Sequence, residues 1–308
     1  MNVSAYTKNQ DRNLILESDI PFICKSKPCL LGIDEAGRGP VLGPMVYGTV
    51  FCPIEKSQDL KDLGVDDSKV LKEEAREELW SKLLENQEKL GIAWILHVLS
   101  PLEISKGMLK RSKYNLNTLS HDTAIALIQR ALTGGARISQ VYVDTVGPPE
   151  KYQAKLQEIF PGIQITVAKK ADSLYPCVSA ASIGAKIARD KCLNNWDHGD
   201  YPLANPGPWG SGYPGDPVTK KFLADNIHPV FGFPSIVRSS WKTADNLCQT
   251  KAIQMKFEEI DPEEDVILKN NPSVKNYFVS IPDTKRKNDA FQSHQFFKNR
   301  NLIIPTEF

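Results

Sequence analysis

No stretch of the 308-residue sequence approaches the ~20 consecutive apolar residues that a bilayer-spanning helix needs. The first residues, MNVSAYTKNQDRNL, lack the apolar segment of a secretory signal, so an intracellular, reducing compartment and no membrane partner are expected. Charge of one sign is lacking too. Lys and Arg number 38 against 37 Asp and Glu, a net charge of +1, so a nucleic-acid partner would be held by a local patch and not by a whole-molecule field. Cys24, Cys29, Cys52, Cys177, Cys192 and Cys248 form no C-x-x-C pair and have no histidines at zinc-finger spacing; they read as buried small hydrophobes or free thiols. His97, His121, His198, His228 and His294 form no constellation, which argues against a metal-free nuclease with a histidine acid–base pair. His97 lies in a strand pattern and reads as structural. No G-x-S-x-G, Walker loop or G-x-G-x-x-G opening a helix is present, which sets aside a serine triad and the phosphate-cofactor cradles.

A composition of 41% hydrophobic residues supports one substantial core, with room for a small second lobe or a tail. Strand patterns rich in β-branched and aromatic residues run from Cys29 to Asp34, Met45 to Phe51, Ile92 to Val98, Gln140 to Asp144 and Ile163 to Ala168, predicting a five-stranded sheet. No helix pattern separates the first two, which predicts a hairpin. Helical patterns then alternate with the strands and predict parallel crossovers: Val70 to Lys89, with Ala75, Leu79, Leu83 and Leu84 on one face; Asn117 to Leu132; and Glu150 to Phe160, with Tyr152, Leu156 and Ile159 aligned. After Asp172 comes an alanine- and serine-rich helix whose small residues allow close packing on the sheet. A Gly/Pro-rich loop leads to a helix capped by Asp216 with Pro217 at its first position, and one more helix is expected around Trp241 to Gln254. From Met255 the composition shifts to proline and mixed charge, read as a weakly structured tail.

Carboxylates fall at the ends of these strands. LLGIDEAGRGPVLGPM places Asp34 and Glu35 side by side before Gly37-Arg38-Gly39; Asp144 closes VYVD, and Asp172 follows TVAKKA just before a helix. In open α/β sheets, ligand sites gather at the carboxyl ends of strands. Singly, Asp172 reads as a helix N-cap and Asp144 as a turn former. Together, four carboxylates repel one another and call for cations; two hard divalent ions about 3.5 to 4 Å apart are a common device for in-line displacement at a phosphodiester. Neighbouring strand residues face opposite ways, so one site containing both Asp34 and Glu35 requires the chain to leave strand geometry near Glu35, where Gly37 and Gly39 permit a bend.

At this point the residues resemble the type 2 ribonucleases H (ribonuclease HII), most closely the catalytic subunit of the eukaryotic heterotrimeric enzyme. The likeness runs through GIDEAGRGPVLGPMVYG, DDSK, KYNLN, LSHDTA, VYVDTVGPP, FPGI, AKKADSLYPCVSAASIGAKIARD, GSGYPGDP and PVFGFPSIVR. It implies an α/β, RNase H-like fold: a mixed five-stranded sheet flanked by helices, with a small helical C-terminal region. The implied organisation is an N-terminal extension over 1–28, a catalytic domain over 29–212, a helical region over 213–254 and a partner-docking or partly disordered tail over 255–308.

The resemblance makes Asp34, Glu35, Asp144 and Asp172 the catalytic metal ligands for two Mg2+ or Mn2+ ions. It gives Gly37, Arg38 and Gly39 contact with the ribose 2′-hydroxyl, Tyr213 the sugar of the following nucleotide, and Lys69 and Asn115 the phosphate near the cut. Without it, Tyr213 reads as a turn tyrosine, Lys69 as a solvated helix-start lysine and Asn115 as a helix cap. Lys106, Lys110, Arg111 and Lys113 form a candidate backbone-tracking patch, which surface solvation explains almost as well. The implied activity is cleavage of RNA in RNA/DNA hybrids and at single ribonucleotides in duplex DNA, on the 5′ side of the ribonucleotide, leaving 3′-hydroxyl and 5′-phosphate ends. Ribonucleotide removal, RNA primer processing, nuclear location and two non-catalytic partner subunits come with it. Two rivals stay open: another nuclease of this fold, of resolvase or integrase type, and a non-catalytic nucleic-acid-binding subunit. Between Trp196 and Gly210, DHGDYPLANPGPWG departs from the family pattern, which puts the conformation leading to Tyr213 in doubt.

Overall fold

The computed structural model describes residues 1–65, 72–111, 114–145, 147–199, 201, 203–205 and 207–253. The expectations for Lys69, Lys113 and the 255–308 tail lie outside them.

Six strands form one mixed sheet: β1 (Leu14–Glu17), β2 (Cys29–Ala36), β3 (Met45–Pro53), β4 (Ala93–Leu99), β5 (Ile138–Asp144) and β6 (Gln164–Ala168), in the order β1-β4-β3-β2-β5-β6. The five-stranded expectation is therefore one strand short. β1 comes from the N-terminal segment, pairs antiparallel with the edge of β4, and carries too few residues to announce itself. β2 and β3 form the expected hairpin. Parallel crossovers run from β4 through helices to β5, which pairs parallel with β2, and from β5 to β6. β4 instead runs antiparallel to β3, because the helices between them return the chain to the same end of the sheet.

Seven described helices have eight residues or more: α1 (Glu73–Glu85), α2 (Pro101–Met108), α3 (Leu116–Thr133), α4 (Pro149–Ile159), α5 (Pro176–Asn194), α6 (Pro217–Asp225) and α7 (Lys242–Lys251). Asp216 caps α6 by accepting from the Val218 N–H at 2.9 Å, with Pro217 at the first position, as the sequence predicts. On α4, Tyr152 and Leu156 are buried but Ile159 is exposed; Phe160, one position on, turns inward in its place. Five of the six cysteines are buried and all are free. Among the described residues no helix is long and apolar enough to cross a membrane.

The small-residue helix α5 lies directly on the sheet centre. A side chain at Gly32 of β2 would collide with the backbone at Cys177, and one at Gly48 of β3 would come within 2.6 Å of the Ala181 carbonyl oxygen. Glycine under alanine lets backbone meet backbone, which fixes the depth of α5 relative to the strand ends. On the other face, α3 and α4 cover Leu31, Ile33, Val141 and Val143 through Leu127, Ile128 and Leu156. The carboxyl ends of β2 and β5 thus emerge between a helix layer on each face.

Candidate active site

Both acids of the DE pair lie inside β2. The strand pairs with β3 through Ala36, with Asp34 opposite Gly48 and Glu35 opposite Tyr47. The chain does not leave strand geometry at Glu35, and the one-face arrangement that the sequence argument required is not what forms. Alternation sends the two side chains to opposite faces. Asp34 turns toward α5, where Ser182 hydrogen-bonds it, and its Oδ1 also accepts from the Glu35 N–H at 2.7 Å. Glu35 turns toward α3 and α4 and lines a cavity with Tyr47, His121, Asp144 and Tyr152.

Asp144 connects the two faces. Pairing of β2 with β5 stops at Ile33 and Val143, one residue before Asp34 and Asp144, so the strands part where the acids begin. The charge of Asp144 raises the pKa of both Asp34 and Glu35. Its Oδ1 accepts from the Ala171 N–H at 2.7 Å. That amide is aimed by Lys170, which sits in the left-handed region at φ 58° and turns the chain from β6 into the short 3-10 helix Ala171–Ser173 that carries Asp172. Asp172 is buried and also acts on Asp34.

Burial is the first cause of both large shifts. The Asp34 carboxyl rises to about 7 through burial, with further pushes from Asp144 and Asp172 against the Ser182 bond. Glu35 rises to about 8 through burial and the charge of Asp34, opposed by Arg38. Buried carboxylates so disfavoured as anions are protonated or compensated by a cation. Among the described residues no three acid, histidine or cysteine side chains stand close enough to grip an ion as they are. Asp34 and Asp144 each accept from a backbone N–H, which fixes the orientation of their carboxyl groups. The donors are all carboxylate oxygens, which suits hard divalent cations and not zinc.

The glycine-flanked loop follows at once. Gly37 has φ 77°, and a side chain there would run into Arg189. The Arg38 guanidinium donates to Ser120 Oγ and to Asn117 Oδ1, the latter at 2.5 Å, which ties it to the first turns of α3. A Cβ on Gly39 would meet the Tyr213 ring at 3.0 Å. Glu35, Gly37, Arg38, Gly39 and the exposed Tyr213 line one groove of about 630 Å³. Asn115 caps α3, its Oδ1 accepting from the Thr118 N–H at 3.0 Å. Lys106 pairs with Glu103 at 3.1 Å, while Lys110 and Arg111 are exposed.

Two residues given no role by the sequence hold this loop from beneath. Arg238, fully buried, donates to the carbonyls of Gly43 (2.8 Å), Arg38 (3.1 Å) and Gly37 (2.6 Å). Burial and the nearby charge of Arg189 pull its pKa down to about 9. Trp241 Nε1 donates to the Gly39 carbonyl at 3.1 Å. An arginine inside the apolar run PSIVR was the available signal, but a sequence does not show which carbonyls such a side chain will meet.

The family model for ribonuclease HII matches residues 31–244, which include every acid and loop residue placed above. The chain belongs to the ribonuclease HII family. It is 48% identical over 302 residues to the ribonuclease H2 A subunit of Mus musculus, covering 98% of both chains. To the same subunit of Caenorhabditis elegans it is 54% identical over 239 residues, covering 77% of this chain and 80% of the relative. Ribonuclease H2 from Pyrococcus horikoshii OT3 is a structural neighbour with TM-score 0.57 and 32% identity, spanning 72% of this chain and 98% of that one. Membership makes the protein a hydrolytic type 2 ribonuclease H and a catalytic subunit, and the resolvase-like and non-catalytic rivals fall with it.

Proposed function

We propose that this ribonuclease HII-family chain cleaves RNA in RNA/DNA hybrids and at single ribonucleotides embedded in duplex DNA. The cut falls on the 5′ side of the ribonucleotide and leaves 3′-hydroxyl and 5′-phosphate ends. One observation carries the reading: the glycine-flanked loop, Tyr213 and the acid Glu35 open into the same groove. The 2′-hydroxyl distinguishes RNA from DNA, and a glycine-flanked backbone can approach it without side-chain interference. The aromatic face of Tyr213 then suits a following sugar that lacks this hydroxyl, which favours an RNA–DNA junction.

Although Asp34 and Glu35 face opposite ways on β2, Asp144 acts on both, and these three with Asp172 would hold two divalent cations, magnesium or manganese, once their side chains close on the ions. When bound, these supply polarisation of the phosphodiester and activation of the attacking water. The chain's own part is positioning. Arg238 and Trp241 fix the loop, Arg38 is locked by Ser120 and Asn117, and the Ala171 amide orients Asp144. Asn115 spends its side-chain oxygen on the cap, so its NH2 group is the part that would meet phosphate, a role the family resemblance also gives Lys69. The relatives are named as one subunit of a larger enzyme, which supports assembly with non-catalytic subunits, two by family resemblance. Roles in ribonucleotide removal and primer processing, and work in the nucleus, complete the proposal by family resemblance.

The test is cleavage of a DNA duplex carrying one ribonucleotide beside an all-DNA control, with and without magnesium, with product ends identified. The expected result is magnesium-dependent cutting of the first duplex only, with 5′-phosphate ends. Cyclic phosphate ends, or equal cutting of the control, would overturn the reading.

A further inference from the structure

Among the described residues, every backbone position in the left-handed region is a glycine except Lys170, at φ 58° and ψ 38°. A residue with a side chain is strained there, and glycine is the usual occupant. The turn itself is required, because both of its ends are tied to the end of β5. Asp144 pairs with Ala168 in the parallel register, the Thr145 N–H donates to the Ala168 carbonyl at 3.2 Å, and the Ala171 N–H donates to Asp144 Oδ1 at 2.7 Å. These bonds account for the backbone but not for the lysine, since glycine would make the same turn with less strain. The Lys170 side chain is exposed and enters no hydrogen bond or ion pair among the described residues. Strain that the fold does not use, kept beside an active site, points to a use of the side chain outside the fold.

We propose that Lys170 is a substrate-binding residue whose ammonium takes a phosphate of the bound duplex beside the acids, a contact indifferent to base and sugar. The proposal rests on the reading of nucleic acid as the substrate. Two observations point to phosphate. Lys170 stands two residues before Asp172 and two beyond Ala168, the partner of Asp144 in the sheet, so a phosphodiester brought to those acids carries its neighbouring phosphates past this turn. The chain's net charge is only +1, so it offers no general attraction to a polyanion, and a strand led toward four carboxylates needs cations set locally. A lysine is a compact point charge suited to that contact, and the left-handed turn fixes the place of its backbone relative to Asp144 and Asp172.

The experiment uses the full chain within its multi-subunit complex, with a DNA duplex carrying one ribonucleotide, in magnesium and over a range of salt concentrations. Lys170→Gly relieves the strain and removes the charge. Its thermal midpoint should equal or exceed that of wild type, while KM rises about three- to tenfold with kcat little changed. The slope of log kcat/KM against log salt should shrink by about 0.9, the share of one phosphate. Lys170→Asn, which tolerates left-handed backbone, should show the same loss of binding, and Lys170→Arg should restore most of it. In a series of duplexes with single neutral methylphosphonate linkages, one position should give wild type and Lys170→Gly the same KM. A Lys170→Gly complex with wild-type KM and wild-type salt slope would overturn the proposal. So would thermal midpoints several degrees below wild type in both the Gly and the Asn variants, which would make the side chain part of the fold. Failure of the wild-type complex to cut the duplex would instead overturn the functional reading beneath it.

Discussion

Replacing Asp34 by Asn probes the acid cluster through stability as well as catalysis. The native carboxyl is 5% exposed and is raised from 3.8 to about 7, chiefly by burial. Between those two values the native metal-free protein keeps a proton that the unfolded chain releases, so stability falls as pH rises through this window and the loss is complete above about pH 7. At about 1.4 kcal/mol per pH unit, the ionised carboxylate costs the native state ~4 kcal/mol at pH 8. The Asn side chain has the same shape, no charge, and an oxygen that can still accept from the Glu35 N–H. Imperfect replacement of the Ser182 and Glu35 bonds returns ~1 kcal/mol. The variant should therefore be more stable than wild type by ~3 kcal/mol at pH 8, or ~6–12 °C in thermal midpoint, with the advantage vanishing near pH 4. Thermal unfolding in chelator across this range measures it. Added magnesium should narrow the gap by stabilising wild type more, and cleavage by the variant should be abolished. A variant less stable than wild type at pH 8, or one whose advantage persists unchanged at pH 4, would refute the account of a charge-strained cluster.

Arg238→Gln removes the donors to the Gly37, Arg38 and Gly43 carbonyls and should cost at least ~3 kcal/mol of stability; thermal melts alongside cleavage per folded molecule should show both falling. Asn115→Asp keeps an oxygen for the Thr118 cap but replaces the amide donor by negative charge. Stability should hold or rise slightly, while KM rises about tenfold; an unchanged KM would confine Asn115 to capping.

The position of the acids at the carboxyl end of the sheet was legible because Asp34, Glu35 and Asp144 close strand patterns and Asp172 follows one by a few residues. How the DE pair is shared was not. Local sequence suggested a bend after Asp34, but β3 goes on pairing through Ala36, and the opening lies instead on the β5 side, where pairing stops at Ile33. That difference depends on two partners, and a single strand pattern contains neither. β1 escaped notice because a four-residue strand with Ile15 facing outward offers almost no periodicity. The antiparallel course of β4 was hidden because periodicity reports burial and carries no direction. Arg238 and Trp241 act on carbonyls about 200 residues earlier in the chain, and no local pattern encodes that pairing.

The same separation governs when the glycine-flanked loop becomes fixed during synthesis. Residues 37–43 leave the ribosome early, and the sheet can begin to assemble around them, but their clamp is residues 238–241. Contacts this distant in sequence form late. Until Arg238 emerges and is buried, the Gly37-Arg38-Gly39 turn lacks these donors beneath its carbonyls, so a nascent chain carrying all four acids still lacks a fixed loop beside them. The loop's final shape, and with it the ribonucleotide selection proposed for it, thus waits until the clamp has been translated.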